Sequence, residues 1–227
     1  MKSYIIHLSK IESSLTSALR VKAQLDSFNM DNELFEGSYG NEIKDYYSNI
    51  GRKLHPWSFK GPTAAFTEEH RNAGASAGVM GCFDSHYRLW TKCVDLDEPI
   101  LIFEDDVMLI RPFLPVEWID VLSVAFSHSK KMIRYQHFLD DPSGKPKAEV
   151  YKQSSMPGNG GYAIHPHAAK ILVDTYANTF LPADNAINQH HVKIQIHNYM
   201  MGRALSKHEG NISTIRTHLW DEMSHKL

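Results

Sequence analysis

Apolar residues recur in two rhythms along this chain, and the change from one rhythm to the other marks its elements. Tyr4, Ile5, Ile6 and Leu8 predict a short buried strand over residues 4–8. Ile11, Leu15, Ala18, Leu19, Leu25 and Phe28 then repeat mostly at three- and four-residue spacings, the signature of a helix with one buried face. Residues 32–36 read as a second short strand. From Gly37 to Gly74 the period weakens, interrupted by Gly40, Gly51, Gly61, Pro56 and Pro62, and the stretch reads as a long loop, either functional or mobile. The clearest helix covers residues 76–95. Val79, Cys82, Phe83, His86, Leu89, Trp90 and Cys93 form its apolar stripe, with Asp84, Arg88, Lys92 and Asp95 expected on the other side. Ile100, Leu101, Ile102 and Phe103 follow as an unbroken apolar run, suited to a central strand buried on both faces. Residues 131–135 and 162–165 predict further strands, and Pro166 opens a helix carrying Ala169, Ile171, Leu172, Val173 and Tyr176. Val192, Ile194 and Ile196 alternate with Lys193 and Gln195 as a half-buried strand would. Strands alternating with helices predict one α/β domain over residues 1–227, with helices flanking a mostly parallel central sheet.

Composition narrows the class without naming it. With 42% hydrophobic and 22% charged residues the chain can bury a core, so it is not a disordered one. A formal charge of −2 supplies no basic field for nucleic acid. No apolar run reaches the roughly 18 residues that span a bilayer, and the first strand is too short for a signal peptide. A cytoplasmic protein is the expectation, with contact at a membrane surface left open, and the Asn211-Ile212-Ser213 sequon reads as a chance match. Cys82 and Cys93, with no Cys-x-x-Cys pairing, read as small buried side chains in a reducing compartment.

The sharpest chemical signal is Glu104-Asp105-Asp106, directly after the apolar tetrad. Three carboxylates at the end of a buried strand repel one another and are expensive to desolvate without compensation. On an extended backbone Glu104 and Asp106 project to one side and Asp105 to the other. Their oxygens suit a hard divalent ion, Mn²⁺ or Mg²⁺, with coordination positions left for phosphate. Ligands of open α/β sheets bind beyond the carboxyl ends of strands, where these acids fall. A solvated turn is the plainer alternative. Asp184 in Leu181-Pro182-Ala183-Asp184 is either a general base or the N-cap of the following turn. His86 on its apolar stripe is either a satisfied core histidine or a site residue. Gly158 to Gly161 either form a turn or let backbone approach a ligand closely, and they lack the lysine of a phosphate loop. His165, His167, His190 and His191 lack zinc-site spacing and cysteine partners. Tyr46, Tyr47, Trp57 and Phe59 either stack on a sugar or pack their loop onto the core.

Four blocks in order resemble glycosyltransferase family 25, which serves lipooligosaccharide synthesis and includes relatives acting on collagen. They are Gly81-Cys82-Phe83-Asp84-Ser85-His86, then Leu101 to Val107 with its Glu-Asp-Asp-Val ending, then Gly160-Gly161-Tyr162-Ala163-Ile164 with Ala168 to Leu172, then Leu181 to Asp184. His7-Leu8-Ser9-Lys10 departs from the family's Asn-Leu-x-Arg opening. The resemblance implies a single GT-A-like, Rossmann-like domain and an inverting transfer of a hexose, galactose first, from a UDP-sugar to a glycan or lipid-linked oligosaccharide acceptor. It implies metal ligation by Asp106, Glu104 and, by analogy with the collagen-modifying relatives, His208. It further implies donor contacts from Glu104, Asp105, His86, Gly160 and Gly161, with Asp184 as the catalytic base. Two rivals share these residues: a metal-dependent nucleotidyl or phosphoryl transferase, and a catalytically silent glycan-binding module.

Overall fold

The computed structural model describes residues 1–55, 77–109, 111–113, 115–126, 150–153, 156, 160–199 and 206–208. In chain order the strands are β1 Lys2–His7, β2 Asn32–Glu36, β3 Lys53–Leu54, β4 Ile100–Glu104, β5 Val107–Leu109, β6 Val121–Ser123, β7 Ala125–Phe126, β8 Val150–Gln153, β9 Gly161–Ile164, β10 Thr179–Phe180, β11 Ile196–Tyr199 and β12 Ser206–His208. The helices are α1 Glu12–Ser27, α2 Gly40–Ile50, α3 Ala77–Leu96, α4 Pro166–Thr175 and the single turn α5 Ala183–Ala186.

Seven strands form the central sheet in the order β2-β1-β4-β9-β6-β11-β8. β1 runs parallel to β2 and β4, and β6 runs parallel to β11. β9 lies antiparallel between β4 and β6, and β8 is antiparallel to β11. The sheet is therefore mixed where a mostly parallel one was expected. β4 and β9 are both apolar and doubly buried, and such composition reports burial without reporting strand direction.

The expectation for β4 holds in detail. Ile100 and Ile102 enter one core with Tyr4, Phe83, Trp90, Tyr162 and Leu172, under α3 and α4. Leu101 and Phe103 enter the other core with Ile5, Ala18, Val21 and Leu25, under α1. Each large side chain removed from water this way contributes about 1.5–3 kcal/mol. The period of two puts Glu104 next on the α3 side, and this alternation carries the first acid toward that helix.

Three expectations change. Residues 37–55 hold helix α2 rather than a continuous loop. Ile43, Tyr46, Tyr47 and Ile50 already have helical spacing, and the glycines bound the helix instead of breaking it. Gly51 sits at φ +69, and the Gly51 and Arg52 N–H groups bond back to Ser48 and Tyr47 carbonyls, a glycine-closed helix end. Val192 and Ile194 are buried but lie in an irregular, bent segment, and the strand begins only at Ile196. Asp84 is buried, not on an outer face of α3. The strand expected at residues 131–135 lies outside the described residues, as do Trp57, Phe59, Gly158 and Asn159.

Candidate active site

The block at residues 81–86 forms the wall of the site, and each residue has a separate task. Gly81 lies where α3 meets the start of α2. A Cβ there would stand 2.5 Å from the Ser38 carbonyl oxygen and 2.9 Å from Gly40 N, so only glycine permits the approach. Phe83 packs edge-on against Trp90 and Tyr176 in the core. Asp84 accepts the Ser38 hydroxyl at 2.5 Å and the Tyr47 hydroxyl at 3.0 Å. The Ser85 hydroxyl accepts the Ser38 N–H at 2.8 Å and donates to the Gly81 carbonyl at 2.7 Å. These bonds pin α3 against the segment after β2. Cys82 and His86, one helical turn apart, are left facing the end of β4.

His86 is 1% exposed and joins two layers of the site. Its Nε2 lies 3.4 Å from Glu104 Oε1, and its Nδ1 lies 2.9 Å from the Tyr162 hydroxyl. The Trp90 indole N–H donates to that hydroxyl at 2.7 Å. An indole can only donate, so the Tyr162 oxygen keeps both its own proton and a second lone pair for His86. It can therefore meet either tautomer of the imidazole. His86 is both of the things expected of it: a satisfied core histidine and a residue touching the first acid.

Glu104 ends β4, while Asp105 and Asp106 form the turn into β5. Strand alternation thus stops at Glu104 and does not govern the other two acids. Asp105 turns toward the start of α1, where it hydrogen-bonds Ser14, whose oxygen also accepts the Leu8 N–H at 2.9 Å. Burial, aided by Asp106 and Glu104, pushes the Asp105 carboxyl up to about 6 despite that bond. Half-buried Asp184 lies in the first turn of α5, which packs on α3. The N-cap position of α5 belongs to Pro182, and Asp184 lies inside its first turn.

Cys82 ties the acids together. Burial first, then Glu104, Asp184, Asp106 and Asp105, raise its thiol well above the ordinary range. All four carboxylates therefore act on one point. Gly160 and Gly161 flank it, since the Glu104 N–H bonds the Gly160 carbonyl at 3.1 Å and Gly161 pairs with Phe103. The backbone of His208 in β12 pairs with Val107, immediately after Asp106. Glu104, Asp105, Asp106, His86, Gly160 and Gly161 thus meet around the β4–β5 turn, with Asp184 within electrostatic reach of Cys82 and the backbone of His208 on the neighbouring strand. The carboxylate oxygens of Asp106 and Glu104 are donors of the type that fits a hard divalent ion.

Sequence reasoning missed Tyr162, Trp90 and the role of Cys82. It treated both cysteines as core residues, which suits Cys93: its thiol is buried against the Glu98 and Ile164 carbonyls. Cys82 is only half-buried. The signal that could have found it is the spacing Cys82-x-x-x-His86 on a helix, followed by a strand ending in an acid. Tyr46 is exposed, whereas Tyr47 is buried with its hydroxyl on Asp84, a packing role and not a sugar platform.

The model of glycosyltransferase family 25 (LPS biosynthesis protein) matches residues 1–187, the span that contains α3, the acids and Asp184. The chain belongs to glycosyltransferase family 25. Among curated relatives of this family 25 chain, the lipooligosaccharide biosynthesis protein lic2B of Haemophilus influenzae is 39% identical over 115 residues, covering 44% of this chain and 42% of that one. Lipooligosaccharide biosynthesis protein lex-1 of H. influenzae is 29% identical over 122 residues, covering 48% and 40%. A glycosyltransferase 25 family member of Aedes aegypti is 30% identical over 84 residues, covering 36% and 12%. The aligned part spans less than half the length of each relative. The apo crystal structure of mouse xyloside xylosyltransferase 1 aligns with a TM-score of 0.27 at 11% identity over 83% of this chain and 67% of that one, a likeness too slight to carry an argument. No helix among the described residues is long and apolar enough to cross a membrane.

Proposed function

We propose that this chain is an inverting glycosyltransferase of GT-A type that moves a hexose, galactose first, from a UDP-sugar to a glycan acceptor in lipooligosaccharide or lipopolysaccharide synthesis. The observation that carries the reading is the placement of Glu104, Asp105 and Asp106 at the end of β4 and its turn, with Asp184 on α5 acting on the same Cys82 thiol, all within the span of the family match. The names of the Haemophilus relatives supply the acceptor class. Asp106 and Glu104 would hold Mn²⁺ or Mg²⁺, with His208 as a further candidate on β12. A bound ion offsets the charge that develops on the departing diphosphate.

The chain's own groups divide the remaining work. His86 supports Glu104 from the core side, and Asp105 is anchored by Ser14; in this reading Glu104 or Asp105 reaches the ribose hydroxyls of the donor. Gly160 and Gly161 keep the wall beside Glu104 free of side chains. Asp184, on α5, accepts the proton of the acceptor hydroxyl as that oxygen attacks the anomeric carbon opposite the leaving group. One bond forms as one breaks, so the anomeric configuration inverts.

A thermal-shift panel of nucleotide sugars with and without Mn²⁺ tests class, donor and cofactor together. UDP-galactose is expected to raise Tm most, and only with the ion present. An equal shift in chelator would remove the metal from donor binding, and a response to nucleoside triphosphates alone would replace the transferase reading.

A further inference from the structure

The wall of the acid site contains a second kind of donor. Cys82 Sγ, a ring nitrogen of His86 and a carboxylate oxygen of Glu104 all lie within 4.8 Å of one another. Two of them sit one turn apart on α3, a rigid 20-residue helix, and the third ends the central strand β4. We propose that Cys82, His86 and Glu104 form a binding site for a thiophilic divalent cation, Zn²⁺ above all, distinguished by its thiol from the thiol-free set of Asp106, Glu104 and His208 expected to hold Mn²⁺ or Mg²⁺, with which it shares Glu104.

Three features of the site support it. Thiolate and imidazole donors select borderline-soft ions over hard ones, and three protein ligands with one open position is a common Zn²⁺ arrangement. Ligand atoms sharing a tetrahedral Zn²⁺ lie ~3–4 Å apart, so small side-chain rotations close this set. The surroundings favour a dication, since Asp105 and Asp106 follow Glu104 directly in the turn into β5 and add negative charge beside the set.

His86 also has the outer partner that metal-bound histidines carry. When Nε2 binds the ion, the ring proton resides on Nδ1 and is donated to the Tyr162 oxygen, whose remaining lone pair serves this tautomer while Trp90 holds the first. Cys82 gives up its thiol proton to solvent, so binding releases one proton. Glu104 is common to both cation sets, and Zn²⁺ held here takes that carboxylate away from the donor side.

The test needs no sugar nucleotide, so its result stands apart from the proposed transferase activity. Co²⁺ is titrated into the metal-free full chain as a spectroscopic stand-in for Zn²⁺, and Zn²⁺ affinity is measured by competition with a chromophoric chelator. A near-ultraviolet thiolate-to-cobalt charge-transfer band is expected in the unaltered chain and absent in Cys82→Ser. Tyr162→Phe should weaken Zn²⁺ about 10–100-fold, the usual effect of losing an outer partner, and Cys82→Ser should weaken it more. A wild-type Co²⁺ complex without the thiolate band overturns the proposal, as does Cys82→Ser binding Zn²⁺ as tightly as wild type. The band is read on the unaltered chain, so the proposal stands or falls even where a variant folds poorly.

Discussion

Two groups of acids in this molecule are equally unwelcome in a protein interior and are handled in opposite ways. Asp84 is 5% exposed, and both of its oxygens receive hydroxyls, from Ser38 and from Tyr47. Asp120 is 6% exposed and is likewise spent, on His167 and on the Gln195 N–H. These acids hold elements together: α3 to the β2–α2 junction, and the start of α4 to the approach to β11. Glu104, Asp105 and Asp106 are half-buried neighbours in sequence, and Glu104 meets His86 only at a long 3.4 Å. Burial first, and then the charges of Asp106 and Glu104, raise Asp105 against the hydrogen bond from Ser14 that would lower it. A carboxylate consumed by fixed donors stabilises a fold, while carboxylates that repel one another at a strand end store unfavourable charge that a cation can relieve.

The comparison breaks most visibly if Asp106 is exchanged. Asp106→Asn should lower turnover at least about 10²-fold, roughly 3 kcal/mol, if this acid supports the departing charge, while Tm changes little. Near-normal turnover in the folded variant would move Asp106 into the structural group. Asp84→Ala should do the reverse. It leaves the Ser38 and Tyr47 hydroxyls buried without their acceptor, at about 1–3 kcal/mol, read as a fall in the denaturation midpoint. An unchanged midpoint with lost activity would place Asp84 among the working acids.

The smallest effect is the sharpest on sign. An Asp105 carboxyl raised to about 6 in the folded state, against the ordinary 3.8, means that the folded chain binds more protons between those values. This group's contribution to stability is therefore greatest at low pH and is lost as pH rises from about 4 to about 6. Asp105→Asn should raise Tm at pH 7.5 in chelator, and the gain should shrink toward pH 4. A gain independent of pH would mean that burial and neighbouring charge are not what raises the group.

Much of the fold was legible because its signals are local. β1, β2, α3, α4 and both faces of β4 follow from periodicity, since a buried face needs apolar residues at the repeat of its own element. α2 was legible too but is obscured by its bounding glycines, which look like breakers when only the chain is in view. The direction of β9 was not legible: antiparallel and parallel central strands bury the same residues, and only the connection decides. Nor was the fate of Asp84, because an acid on a helix gives no sign that Ser38 and Tyr47 will converge on it from another element.

The sequence by itself determined that three acids follow a doubly buried strand, that a Gly-Cys-x-x-Ser-His turn precedes them on a helix, and that these blocks occur in the order of family 25. Only the tertiary structure decided what those acids face. It set Gly81 against Ser38 and Gly40, and so aimed Cys82 and His86 at Glu104. It also brought Asp184 on α5 into the same field. Spacing along a chain fixes which residues share a face of one element, whereas a site is made where faces of several elements meet, and that meeting is set by packing.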